Sequence, residues 1–125
     1  MKPQPFSIKK RVKSFSYALR GLKMLFKEEH NAKIHACSGI VVIIASLLFQ
    51  ISSIEWLFVT ASIGAVISME ALNSAIENIA DFVSPDRHEL IKKIKDLAAG
   101  AVLSSALAAL AIGILIFLPK IINLI

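Results

Sequence analysis

The side chains best able to do chemistry are concentrated in Met69-Glu-Ala-Leu-Asn-Ser-Ala-Ile-Glu77-Asn-Ile-Ala-Asp81. At about 100° per helical residue, Glu77 falls about 20° to one side of Glu70 and Asp81 about 20° to the other. Asn73 lies about 60° away on the same reckoning. One helix face would therefore carry three carboxylates and an amide. Acids grouped in this way can take a proton from a hydroxyl or hold a hard divalent cation through oxygen. A further acid could come from Glu28 or Glu29, and Lys95-Asp96 adds a cation suited to phosphate beside another carboxylate.

These residues must be positioned by very apolar elements. Hydrophobic residues make up 56% of the 125-residue chain, and its mean hydropathy is +0.71, too apolar for a soluble domain of this size. The apolar residues form three blocks, Ile34–Ile51, Ile54–Ile76 and Leu97–Leu118. A bilayer span needs about 20 apolar residues, with a range of about 17–25, so each block is long enough to cross. The first and third blocks carry no charge. The second has Glu55 at one end and Glu70 deep inside. The chain is read as a single domain over 1–125.

Of the 14 Lys and Arg residues, nine precede the first block, four (Arg87, Lys92, Lys93 and Lys95) lie between the second and third, and Lys120 follows the third. The turn Gln50-Ile-Ser-Ser-Ile-Glu55 has none. This bias predicts a cytoplasmic N-terminus and second connection, with the short turn and the C-terminus outside. No aromatic-basic platform accompanies the net charge of +5, so a nucleic-acid partner is not expected.

Residues 1–7 read as a tail. From Ile8 the apolar positions run Ile8, Val12, Phe15, Leu19, Leu22 and Phe26, one stripe on a helix over 8–29 whose other faces carry Lys and Arg. Such a basic amphipathic helix beside a span belongs in the headgroup plane. Trp56 is well placed as an interfacial anchor. Ser84-Pro85 predicts a helix start, with Ser84 as N-cap and Pro85 in the first turn. Small residues recur every fourth position as Gly100, Ser104, Ala108 and as Ala101, Ser105, Ala109, Gly113, a spacing that lets helices approach closely.

Depth narrows the chemistry. With Trp56 at the outer boundary, Glu70 lies roughly 21 Å inward and Glu77 roughly 31 Å, against a hydrocarbon core of about 30 Å. An intramembrane carboxylate costs several kcal/mol on a lipid-facing surface, so it faces protein and marks function. Glu70 sits at the depth of a lipid hydroxyl, and Glu77 reaches water, where a hydrated cation can bind. A base, metal-binding acids and a lysine are the minimum inventory of phosphoryl transfer. The five glycines are isolated, which excludes a glycine-rich phosphate loop. A small multidrug or ion transporter also uses a lone intramembrane acid, but three spans suit inverted repeats poorly. A non-enzymatic assembly subunit gives no reason for the acids and Lys95-Asp96 together. His30, His35 and His88 lack ligand spacing, so His30 and His35 read as solvated or hydrogen-bonding residues. The single Cys37 excludes an internal disulfide.

Glu70-Ala-Leu-Asn-Ser-Ala-Ile-Glu77, Asp81 and Lys95-Asp96-Leu-Ala-Ala-Gly-Ala-Val102 resemble the signature of the prokaryotic diacylglycerol kinase family, a likeness that extends to Tyr17-Ala-Leu-Arg-Gly21-Leu and Lys27-Glu-Glu-His-Asn31. The resemblance implies an all-α membrane enzyme, with an amphipathic surface helix and three transmembrane helices per subunit of a homotrimer. It also implies ATP as donor, Mg2+ as cofactor and a lipid alcohol as acceptor, at active sites near the cytoplasmic face of the cell membrane. By resemblance, Glu70 corresponds to the general base, supported by Asn73. Glu29 and Glu77 correspond to metal ligands that also contact the nucleotide. Lys10, Tyr17, Asp86, His88, Lys95 and Asp96 correspond to nucleotide contacts, and Glu70 with Ala99 to lipid contacts. The segments Glu29–His35, Ile54-Glu-Trp56 and Ile116–Lys120 are more similar to the branch acting on undecaprenol, whereas His35 stands where diacylglycerol kinases tend to have an acid. Undecaprenol is the favoured substrate and diacylglycerol the alternative.

Overall fold

The computed structural model describes residues 2–125 as four helices, with no strand among the described residues: α1 Ile8–Glu28, α2 His30–Leu48, α3 Ser53–Val83 and α4 Glu89–Ile122. The all-α architecture expected from the apolar blocks is present, and α2, α3 and α4 are each long and apolar enough to cross a membrane. At 1.5 Å per residue α3 is roughly 46 Å long, longer than a hydrocarbon core of about 30 Å.

Helix α1 begins where Ser7 accepts a hydrogen bond from the Lys10 backbone N–H. Its apolar stripe does not pack on the rest of the chain. Ile8, Val12, Phe15 and Leu19 are all exposed, and Leu25 is the one buried residue of the helix. A stripe left open beside three spanning helices is suited to lipid. The chain then breaks for a single residue. Glu29 has an extended backbone, serving α1 as C-cap and α2 as N-cap.

Helices α2 and α3 are joined by a tight turn in which Gln50 takes a left-handed conformation, φ 51°. The apolar block expected over 34–51 thus ends as helix at Leu48, and Ile51 folds back into the core instead. There it meets Val59 and Ile116, with Trp56, Phe49 and Phe117 around them. The rings of Phe49 and Phe117 meet edge to face, 6.0 Å between centroids. Ser52 and Glu55 form a reciprocal capping box at the start of α3, and Lys120 of α4 reaches Glu55 at 2.6 Å. These contacts tie the three spans together at the end remote from the acids.

The connection from α3 to α4 departs from the expectation at Ser84-Pro85. Ser84 is the C-cap of α3, and its hydroxyl donates to the Asp86 carbonyl. The residue before a proline is disfavoured in helical conformation, so Pro85 terminates one helix rather than starting the next. The N-cap of α4 is His88, whose Nδ1 accepts from the Leu90 N–H at 3.1 Å. Along α4 the two small-residue rows are each covered in part: Gly100, Ser105, Ala109 and Gly113 are partly covered, whereas Ala101, Ser104 and Ala108 are exposed.

Ser52→Ala removes the side-chain acceptor of the capping box. It is expected to destabilise the protein by about 1 kcal/mol, read as a lowered thermal unfolding midpoint in detergent micelles with the specific activity of the folded fraction unchanged.

Candidate active site

The break at Glu29 brings the end of α1 against α3. As N-cap of α2, Glu29 makes no side-chain capping bond, and its Oε1 instead accepts from the Ser74 hydroxyl at 3.3 Å. Ser74 lies one turn beyond Glu70, within the acid-bearing face of α3. Three residues further on, Glu77 Oε1 accepts from the Asn73 amide at 3.3 Å. Glu70 itself is buried, 3% exposed, and His35 of α2 brings Nε2 to 3.1 Å from its Oε1. That approach lacks the alignment of a hydrogen bond, so Glu70 Oε1 and the neighbouring Asn73 Oδ1 are enclosed acceptors without an aligned donor.

Three carboxylates, Glu29, Glu70 and Glu77, thus stand together with only neutral or weakly basic partners: Ser74, His35 and Asn73. Among the described residues no lysine or arginine pairs with any of them. Glu28, the other candidate at this junction, is exposed. Asp81 leaves the group that helix arithmetic gave it, because Lys95 of α4 pairs with it across the α3–α4 contact. The acid face therefore divides in two: Asp81 pairs with Lys95, whereas Glu29 joins the face through Ser74. The Ser74–Glu29 contact joins residues distant in sequence, but Ser74 lies only about 40° from Glu70 on the helix, a signal the sequence carries.

The donor set suits a hard cation. Two carboxylates and the unpartnered amide oxygen of Asn73 are all oxygen. Among the described residues no group of three or more His, Cys, Asp or Glu side chains is placed to hold a metal ion by itself. An open, partial oxygen shell is what Mg2+ uses when water and substrate phosphates complete its coordination.

A second polar cleft of about 320 Å³ opens between the end of α3 and the start of α4, lined by Asp81, Asp86, His88 and Lys95 among others. Asp96 points elsewhere on α4 and pairs with Lys92 at 2.8 Å. Lys10 and Tyr17 are on the exposed surface of α1, Lys10 bonded to Gln4 and Tyr17 beneath the Arg20 guanidinium. Neither hydrogen-bonds to the acid cluster or to the second cleft among the described residues. Ala99 is exposed on α4. Of the sequence candidates, the structure gathers Glu29, Glu70, Asn73 and Glu77 into one cluster and Asp86, His88 and Lys95 into another.

Beside Glu70 an apolar cleft of about 480 Å³ runs between α2, α3 and α4, from His35 and Ser38 past Val66 and Gly113 to Phe117 and Ile121. The rest of its lining is almost wholly apolar, and it meets the acid cluster only through His35, whose Nε2 is 3.1 Å from Glu70.

The family described as prokaryotic diacylglycerol kinase matches residues 16–117. A protein of Bacillus subtilis named undecaprenol kinase is 43% identical over 108 residues, 86% of this chain and 88% of that protein. A diacylglycerol kinase of Synechocystis is 38% identical over 112 residues, 89% of this chain and 64% of its own length. The diacylglycerol kinase of Escherichia coli K12 is 26% identical over 98 residues, 78% of this chain and 80% of that enzyme.

Asp81 and Lys95 are both solvent-accessible, with side chains 64% and 38% exposed, and exposed ion pairs contribute less than about 1 kcal/mol. Asp81→Asn should accordingly leave the thermal midpoint in micelles almost unchanged.

Proposed function

The chain belongs to the prokaryotic diacylglycerol kinase family, and on that premise we propose that it transfers the γ-phosphoryl group of ATP to the hydroxyl of undecaprenol. The family makes it a multi-pass membrane lipid kinase that uses ATP. The observation that supports the catalytic assignment is a carboxylate, Glu70, 3% exposed and with no lysine or arginine partner, 3.1 Å from His35, which lines an apolar cleft. The choice of undecaprenol is supported by the 43% identity to a relative of that name, against 38% and 26% for the two diacylglycerol kinases above.

In this reading the polyprenyl chain lies in the cleft along α4 and its hydroxyl meets Glu70. A carboxylate oxygen of Glu70 takes the hydroxyl proton as the alcohol oxygen bonds to the γ-phosphorus, and the bond to the bridging oxygen breaks to release ADP. Asn73 holds Glu77, and Ser74 holds Glu29, so both carboxylates face the nucleotide's phosphates from fixed positions. Glu29 and Glu77 are the residues that would hold Mg2+, with the Asn73 amide beside them. The chemistry the ion supplies when bound is neutralisation of charge on the β- and γ-phosphates. Lys95, Asp86 and His88 border the cleft that would take the rest of the nucleotide, while Lys10, Tyr17 and Asp96 contact it from outside that cleft and Ala99 contacts the lipid. The whole chain is one catalytic domain and works as a homotrimer. The exposed small residues Ser104 and Ala108 offer a face on which a neighbouring subunit could pack closely. Charge asymmetry supports a cell-membrane orientation with α1 and the α3–α4 connection in the cytoplasm and the C-terminus outside.

The test is a mixed-micelle assay with radiolabelled ATP, magnesium, purified protein and either undecaprenol or diacylglycerol. Label in undecaprenyl phosphate is the expected result, and label in phosphatidic acid alone would reassign the substrate. Glu70→Gln should reduce turnover by at least about a hundredfold, within the range general-base catalysis contributes, with nucleotide affinity retained. Glu77→Gln should instead shift the magnesium titration of nucleotide binding to higher concentration, and an unmoved titration would remove Glu77 from that role.

A further inference from the structure

Each carboxylate of the cluster has one side-chain neighbour, and these neighbours are not equivalent. Ser74 and Asn73 bond to Glu29 and Glu77 from α3. His35 reaches Glu70 from a different helix, α2, with Nε2 at 3.1 Å from Oε1. The imidazole is partly open, its side chain 27% exposed, and it lines both apolar cavities between α2, α3 and α4. His35 therefore stands between a buried carboxylate and the cleft beside it. Glu70 Oε1 is enclosed and has no other donor within hydrogen-bonding distance among the described residues. Leaving a buried acceptor unmatched is unfavourable, so the side chain already 3.1 Å away is the one able to satisfy it.

We propose that His35 is a positioning residue for the phosphoryl transfer: its Nε2–H donates to Glu70 Oε1 and so aims the other oxygen, Oε2, at the lipid hydroxyl in the cleft. The inference rests on the assignment of Glu70 as the base. A small rotation of the imidazole aligns the bond. The contact crosses from α2 to α3, so it fixes the carboxylate relative to the wall of the cleft along which the alcohol arrives. Without it Glu70 keeps its place on α3 but loses its rotamer. Misplacement of a reacting group by about 1 Å can cost a hundredfold in rate.

The experiment measures kcat and the KM for ATP of the full-length protein in mixed micelles for His35→Ala, His35→Gln and Glu70→Gln, with thermal midpoints recorded for each. His35→Ala is expected to lower kcat by about 10- to 100-fold with the KM for ATP unchanged. His35→Gln, whose amide nitrogen can occupy the place of Nε2, should recover most of the rate. The proposal is overturned if folded His35→Ala turns over at the wild-type rate, or if folded His35→Gln is as slow as His35→Ala. Should His35→Ala fail to fold, the rate of His35→Gln decides alone. Glu70→Gln separates the two levels: activity in that variant removes the base assignment itself, whereas an inactive Glu70→Gln beside a fully active His35→Ala removes only the role of His35.

Discussion

In hydrocarbon a backbone N–H or C=O without a partner costs several kcal/mol, so a chain can leave helical geometry only where water or protein supplies the missing bonds. That constraint organises the molecule. Its three interruptions fall at Glu29, at Phe49–Ser52 and at Ser84–His88, and each has its own device for the freed groups: a one-residue joint, a capping box after a left-handed Gln50, and a histidine N-cap. Two of the three interruptions lie at the same end of the bundle, and the polar residues gather there. The site lies at that end because it is where the backbone can turn.

A second regularity concerns which partners the acids receive. Glu55, Asp81 and Asp96 are each matched by a lysine. Glu29, Glu70 and Glu77 are matched by a hydroxyl, an imidazole and an amide. The paired acids each meet a lysine, whereas the clustered ones have no lysine or arginine partner among the described residues. Like charges held close are unfavourable unless something positive joins them, which is the physical support for the proposal that a cation joins Glu29 and Glu77.

Much of this was legible in the sequence because hydrophobic length and helical periodicity are local properties. The three apolar blocks, the stripe from Ile8 to Phe26 and the alignment of Glu70 with Glu77 needed only the helix repeat. What the sequence left ambiguous depended on contacts between helices. Periodicity put Asp81 with the other acids, yet Lys95 draws it toward α4. Glu28 and Glu29 were equivalent until the chain broke between α1 and α2. The approach of His35 to Glu70 could not be read from spacing, since it depends on how α2 packs against α3. Ser84-Pro85 misled for a different reason: the same dipeptide serves to end a helix or to start one, and the choice is made by the residues on either side.

The single-residue joint at Glu29 also has a mechanical meaning. One residue spans at most about 3.6 Å, which leaves no slack between a helix whose apolar stripe is open to lipid and a helix that crosses the bilayer. The Glu29 carboxylate is thereby tied to α1 and α2 by the chain itself and to α3 by Ser74, so the three helices meet at one residue.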